Sequence, residues 1–144
     1  MPNIANVLVL GDSNVGKTSL IHRLKYDTLL ESPNSTIGIE FTTVHIGQRT
    51  YHIWDVKGMD TLTLISTTRF KHIFIVCEAS NPSTVEPYLM AVQHHEALIT
   101  LVANKCDTHA NRPNGYLCTS AHTGLNLDQI RLLLTRSQLG NDHS

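Results

Sequence analysis

The chain has 144 residues, 41% apolar and 16% charged, with a net charge of −1. This balance fits one globular domain with a real core, and excludes a disordered chain or a two-domain protein. No basic run or basic-aromatic face points to nucleic acid, and no apolar stretch nears the length of a membrane span.

Apolar runs and turn signals alternate in a βαβ-like rhythm. A strand is predicted at about 5–10, followed by Gly11-Asp12-Ser13-Asn14-Val15-Gly16-Lys17-Thr18 and a helix at 17–26 with Leu20, Ile21 and Leu24 on one face. Residues 27–37 read as a polar loop around Pro33. Segments 41–46 and 50–54 alternate about Gly47-Gln48 as a hairpin. A short helix is expected at about 60–69, a buried strand at 73–77, and a helix at 83–96 with Ser83 as its N-cap. Another buried strand spans 98–103, a loop 108–115, a short strand 116–119, and a final helix about 126–138 buries Leu127, Ile130, Leu133 and Leu134. Residues 1–140 read as one domain and 141–144 as a short polar tail. The opening Met1-Pro2-Asn3-Ile4 is neither a signal peptide nor a myristoylation site. Cys77, Cys106 and Cys118 are widely spaced and odd in number, which fits a reducing compartment and no zinc pattern. Of nine histidines only His94 and His95 are adjacent, and adjacent side chains on a helix do not share a face. A solvated helix surface is the better reading there than a metal site.

Residues 11–18 spell G-x-x-x-x-G-K-[ST]. By chance this pattern arises in roughly one chain in a few hundred of this size, so coincidence is a poor account of it. Gly11 and Gly16 permit backbone conformations that turn successive N–H groups toward one point, and the helix start adds its own donors. Lys17 supplies an ammonium for outer phosphates and Thr18 a hydroxyl for Mg²⁺. The bland alternative is a Gly-rich turn with no ligand.

Two weaker motifs follow. Asp55-Val56-Lys57-Gly58 ends a predicted strand, where an acid can hold Mg²⁺ directly or through water, and Gly58 leaves its N–H free to approach a terminal phosphate. Asn104-Lys105-Cys106-Asp107 ends a later strand, where open α/β sheets bind ligands. A carboxylate there can accept from the N1–H and N2–H₂ edge of guanine, which adenine lacks. Either motif alone reads as a turn; behind a P-loop the second is a guanine signal.

With these residues in hand, and with Ser35-Thr36-Ile37-Gly38-Ile39-Glu40-Phe41 and Thr119-Ser120-Ala121, the chain resembles the Ras superfamily of small GTPases, the Rab branch most closely. The eighteen-residue step from Thr18 to Thr36 is also similar to the family's spacing. The resemblance implies a P-loop NTPase fold: a three-layer α/β/α sandwich on a mostly parallel six-stranded sheet with one antiparallel strand. It implies GTP or GDP as ligand with Mg²⁺ held by Thr18, Thr36 and Asp55. Ser13, Asn14, Val15, Gly16, Lys17, Thr18 and Ser19 would line the phosphates. Lys17, Thr36 and Gly58 would meet the γ-phosphate and serve its transfer. Asn104, Lys105, Asp107, Ser120, Ala121 and His122 would form the guanine end. There the Lys105 stem covers the base, Ser120 braces Asp107, and the Ala121 N–H meets the base carbonyl. Ile37–Phe41 and the second switch would face effectors, and exchange or activating factors are implied as further partners. A cytoplasmic protein, peripheral at membranes through partners and tied to vesicle traffic, is the expected setting; a mimic acting in a host cell is the variant of it.

The chain departs from that pattern in places. The family's water-orienting glutamine is Met59 here, and a thioether cannot orient water as an amide does. Slow hydrolysis and a long-lived GTP state are therefore expected. Lys57 replaces a small residue; it adds charge to the γ-phosphate, competes with the metal, or points to solvent. His122 replaces a lysine beside a backbone contact that needs no side chain. Only eight residues, 108–115, separate Asp107 from the last strand, too few for the usual helix. The last 26 residues contain no cysteine, and so no prenylation box. A pseudo-GTPase that competes for partners of ordinary small GTPases is the alternative function. A P-loop kinase or ATPase is disfavoured by Asn104-Lys105-Cys106-Asp107.

Leu29 stands where the family carries an aromatic ring against the guanine, a contact worth roughly 0.5–1.5 kcal/mol beyond burial. Leu29→Phe is expected to slow nucleotide release by roughly two- to tenfold in a fluorescent-nucleotide chase. An unchanged off-rate would refute this account of the pocket.

Overall fold

Alternate residues of the first strand, β1 (Ile4–Leu10), enter two different cores: Ala5, Val7 and Val9 one, Leu8 and Leu10 the other. A strand that is apolar on both sides must be covered on both faces. The computed structural model describes residues 4–12, 15–26, 39–56, 68–93, 95–106 and 115–142. The further strands are β2 (Ile39–Ile46), β3 (Arg49–Val56), β4 (His72–Glu78), β5 (Leu98–Asn104) and β6 (Leu117–Cys118). They form one six-stranded sheet in the order β2-β3-β1-β4-β5-β6. Only β2 and β3 pair antiparallel, as a hairpin about Gly47-Gln48; the other pairs are parallel.

Among the described residues three α-helices cover this sheet. Helix α1 (Lys17–Tyr26) buries Leu20, Ile21 and Leu24, and α3 (Leu127–Asp142) buries Leu127, Ile130 and Leu134, against the face that carries Val7, Val9, Tyr51, Ile53, Phe74 and Val76. Helix α2 (Glu86–Val92) buries Tyr88 and Val92 against Leu8, Leu10, Ile73, Ile75 and Cys77 on the other. This is the three-layer α/β/α arrangement of a P-loop fold. Arg131 of α3 fastens α1 by donating to the carbonyls of Arg23 (3.3 Å) and Leu24 (3.5 Å), which lie near the C-terminal end of α1. The chain leaves β1 for β3 on one side and later returns to β4 on the other. The loop after β1 therefore opens at a topological switch point, where such sheets bind ligands.

Some boundaries differ from expectation. Residues 82–85 form a 3-10 turn and α2 starts at Glu86, so Ser83 is no N-cap; its hydroxyl donates to Asn81 Oδ1 at 3.0 Å. Pro87 is the reason: it has no N–H to give, and fits only the first turn of a helix. The helix ends at Val92, four residues early, and His95 N–H then donates to the Val92 carbonyl. Helix α3 runs on through Asp142, into the stretch read as a tail. No described helix lies between β5 and β6, and residues 107–114 of that connection lie outside the described residues. So do the polar loop at 27–37, His94 and most of the helix expected at 60–69; Thr68 and Arg69 are not helical. No helix among the described residues is long and apolar enough to cross a membrane.

His72 opens β4 fully buried, its ring stacked on Phe74 at 4.2 Å and sharing a 2.7 Å hydrogen bond with Thr100 Oγ1. Burial lowers its pKa to about 4. The unfolded chain takes up this proton near pH 6.5 and the folded chain only near 4, so between those values the unfolded state binds more protons. Stability should fall as pH drops from about 6.5 to about 4, by up to ~3 kcal/mol from this residue, and the loss should level off below. Urea titrations at pH 7, 5 and 4 check this. His72→Gln should remove that share of the acid-side loss.

Candidate nucleotide site

Gly11 follows β1 with φ +151, and a Cβ there would run into the Val76 carbonyl of β4. Gly16 has φ +92, and a Cβ there would meet the Asn104 amide nitrogen. Only glycine suits either place, because the conformation is costly for L residues and the space is taken. Gly16 leads directly into α1, with Lys17 and Thr18 in the first helical turn.

Lys17 is 6% exposed, and its Nζ donates to the carbonyls of Gly11 (2.7 Å) and Asp12 (3.2 Å). The ammonium is thus folded over the mouth of the loop whose N–H groups would cradle phosphate. Thr18 Oγ1 donates to Asp55 Oδ2 at 3.0 Å. Asp55 lies near the carboxyl end of β3 and is 2% exposed. A buried carboxylate joined to a hydroxyl is an all-oxygen donor set of the kind a hard cation takes, and these residues fit Mg²⁺.

Asn104 ends β5 and is 1% exposed. Its Nδ2 donates to the Val15 carbonyl at 2.9 Å, and its Oδ1 accepts from Thr119 Oγ1 at 3.2 Å. The side chain is a strut that ties the phosphate loop to the loop after β6. The next residue, Lys105, takes a left-handed conformation (φ 63), and its Cε comes 3.9 Å from where a Gly16 Cβ would lie. Its ammonium pairs with Glu78 Oε1 at 2.7 Å. Ser120 and Ala121 are buried, Ser120 Oγ accepts from the Thr123 N–H at 3.1 Å, and His122 is exposed. Cys106 turns away, its thiol donating to the Ala103 carbonyl.

The structure brings together Val15, Gly16, Lys17, Thr18, Asp55, Asn104, Lys105, Ser120 and Ala121 at the loop end of the sheet. Ser13, Asn14, Leu29, Thr36, Lys57, Gly58, Met59 and Asp107 lie outside the described residues. Three contributions are not assigned from the sequence. Thr119 secures the Asn104 strut. Glu78 anchors Lys105; it pairs in register with Asn104, so aligning the strand ends was the signal available. Tyr88 donates to the Asp12 carboxylate at 2.7 Å. Burial raises the Tyr88 phenol above its ordinary pKa, and the Asp12 hydrogen bond and charge add to the rise.

A family model described as Ras of Complex, Roc, domain of DAPkinase matches residues 6–107. The chain belongs to this Roc family of the Ras superfamily of small GTPases. Relatives include the Ras-related protein SEC4 of Candida albicans, 34% identical over 122 residues that cover 76% of this chain and 58% of SEC4. The Ras-related protein RIC1 of Oryza sativa subsp. japonica is 31% identical over 123 residues, covering 76% and 61%. The Ras-related protein Rab-19 of Bos taurus is 27% identical over 158 residues, covering 90% and 73%. The chain spans less than two thirds of the length of SEC4 and RIC1. These Rab-type relatives agree with the resemblance read from the motifs.

Gly16→Ala tests the packing of the loop on Asn104. It should cost about 1–3 kcal/mol in denaturant melts, since strain and a displaced amide both count against it. Nucleotide affinity measured calorimetrically on the folded variant should fall at least about tenfold.

Proposed function

We propose that the chain is a Rab-like guanine-nucleotide switch that binds Mg²⁺–GTP, recruits effectors and hydrolyses GTP slowly. The observation that supports this reading is the Asn104 strut, which ties Val15 of the phosphate loop to Thr119 after β6 at one end of the sheet. Lys17 and the loop N–H groups would hold the β- and γ-phosphates. Thr18, Thr36 and Asp55 would hold Mg²⁺, which when bound neutralises phosphate charge. Asp107 would accept from the guanine edge, with Asn104 keeping its loop in place and the Lys105 stem over the base. Thr36 and the Gly58 N–H would sense the γ-phosphate and so make the switch.

Phosphoryl transfer depends on positioning and charge stabilisation. Lys17 supplies charge; the group that would orient the attacking water is missing at Met59. An aromatic surface favours a role in recruitment. Phe41 is 49% exposed and sits edge-on to Trp54 at 5.4 Å, and Trp54 in turn meets Phe70 at 5.8 Å. Such a half-buried aromatic group is a docking surface for an effector. The same surface, with Met59, also favours the second reading: a pseudo-GTPase that competes for partners without cycling.

Nucleotide released from the purified protein by denaturation and separated by chromatography distinguishes the readings. Retained GTP supports the slow switch, GDP an active hydrolase, and no nucleotide the pseudo-GTPase. In single-turnover assays Met59→Gln should speed hydrolysis at least about tenfold. A wild-type rate typical of glutamine-bearing enzymes, left unchanged by that substitution, overturns the slow-hydrolysis reading.

A further inference from the structure

Asp12 presents a difficulty. It is the second residue of the phosphate loop, it is exposed, and it places a carboxylate beside a site built for anions. Like charges a few ångströms apart repel, and the water an exposed carboxylate keeps screens this only in part. The arrangement around it answers this. Tyr88 Oη donates to Asp12 Oδ1 at 2.7 Å, the short separation of a charge-assisted bond. The Tyr88 ring is 2% exposed and packed with Val85, Val92 and Ile75 under the sheet, so its hydroxyl is held in place. The main chain of the same Asp12 offers its carbonyl to Lys17 Nζ at 3.2 Å. One residue thus links a rigid phenol on α2 to the ammonium that would meet the phosphates.

We infer that Tyr88 is a positioning residue for nucleotide binding: it draws the Asp12 carboxylate away from the phosphates and fixes the peptide whose carbonyl contacts Lys17. This rests on the guanine-nucleotide reading above. Tyr88→Phe keeps the ring and its packing but releases the carboxylate. The freed charge would repel the phosphates, and the Asp12 peptide would lose one of its supports.

The test is a double-mutant cycle on nucleotide release, with Tyr88→Phe, Asp12→Asn and the pair, each loaded with fluorescent GDP and GTP analogues. Tyr88→Phe should raise the off-rate about tenfold, more for the triphosphate than the diphosphate, and less at high salt. In the Asp12→Asn background the same change should have a clearly smaller effect, because no charge remains to restrain and only the support of the peptide is left to lose. Equal effects of Tyr88→Phe in both backgrounds, or an unchanged off-rate, overturn the inference and leave the nucleotide reading standing. A fall in melting temperature without any change in release assigns Tyr88 to the core alone and also overturns it. A wild-type protein that binds neither analogue overturns the nucleotide reading, and the inference with it.

Discussion

The amide of Asn104 donates to Val15 in the loop after β1 and accepts from Thr119 in the loop after β6, and it does so out of contact with water. Removing the amide would leave a buried carbonyl and a buried hydroxyl without these partners, each a penalty of about 1–3 kcal/mol. Gly16 packs its bare Cα face against this amide, so the curvature of the phosphate loop and the position of β5 determine one another. On the other flank Thr18 and Asp55 make a comparable tie between α1 and β3. Both ties hold the site at the end of the sheet.

Charge is managed in the same economical way. Among the described residues three carboxylates stand near the phosphate loop, those of Asp12, Asp55 and Glu78, and an uncompensated acid there would work against an anionic ligand. Each is engaged by a donor from a different element: Tyr88 of α2, Thr18 of α1, and Lys105 after β5. The Glu78–Lys105 pair is partly exposed, so its worth lies in direction more than in stability. It fixes the ammonium end of a side chain whose stem runs past Gly16. A nucleotide would therefore meet Asp12 and Glu78 already engaged by donors of the protein.

Much of this was legible in the residues themselves. Gly11, Gly16, Lys17 and Thr18 act through local backbone geometry, which a short motif specifies completely. The two-sided apolar pattern of β1 and β4 made them central strands, and the spacing of Leu127, Ile130 and Leu134 made α3 amphipathic. Pro87, the fifth residue of the helix expected at 83–96, limits where that helix begins, since a proline fits only the first turn and α2 starts at Glu86. Glu78 was within reach of sequence reasoning once β4 and β5 were taken as parallel neighbours.

By itself the sequence determined the phosphate loop, the order of strands and helices and the family, because these depend on residue type and on spacing along the chain. Only the tertiary structure decided what surrounds the loop. Tyr88 and Asp12 are 76 positions apart, and Asn104 and Val15 are 89 apart. No local pattern announces such pairs. They exist because the sheet order puts β1 between β3 and β4, and the crossovers carry α2 beneath one face. A tyrosine at helical spacing reads as core, and its ring is core. That its hydroxyl ends on an acid of the phosphate loop follows from where the helix is packed.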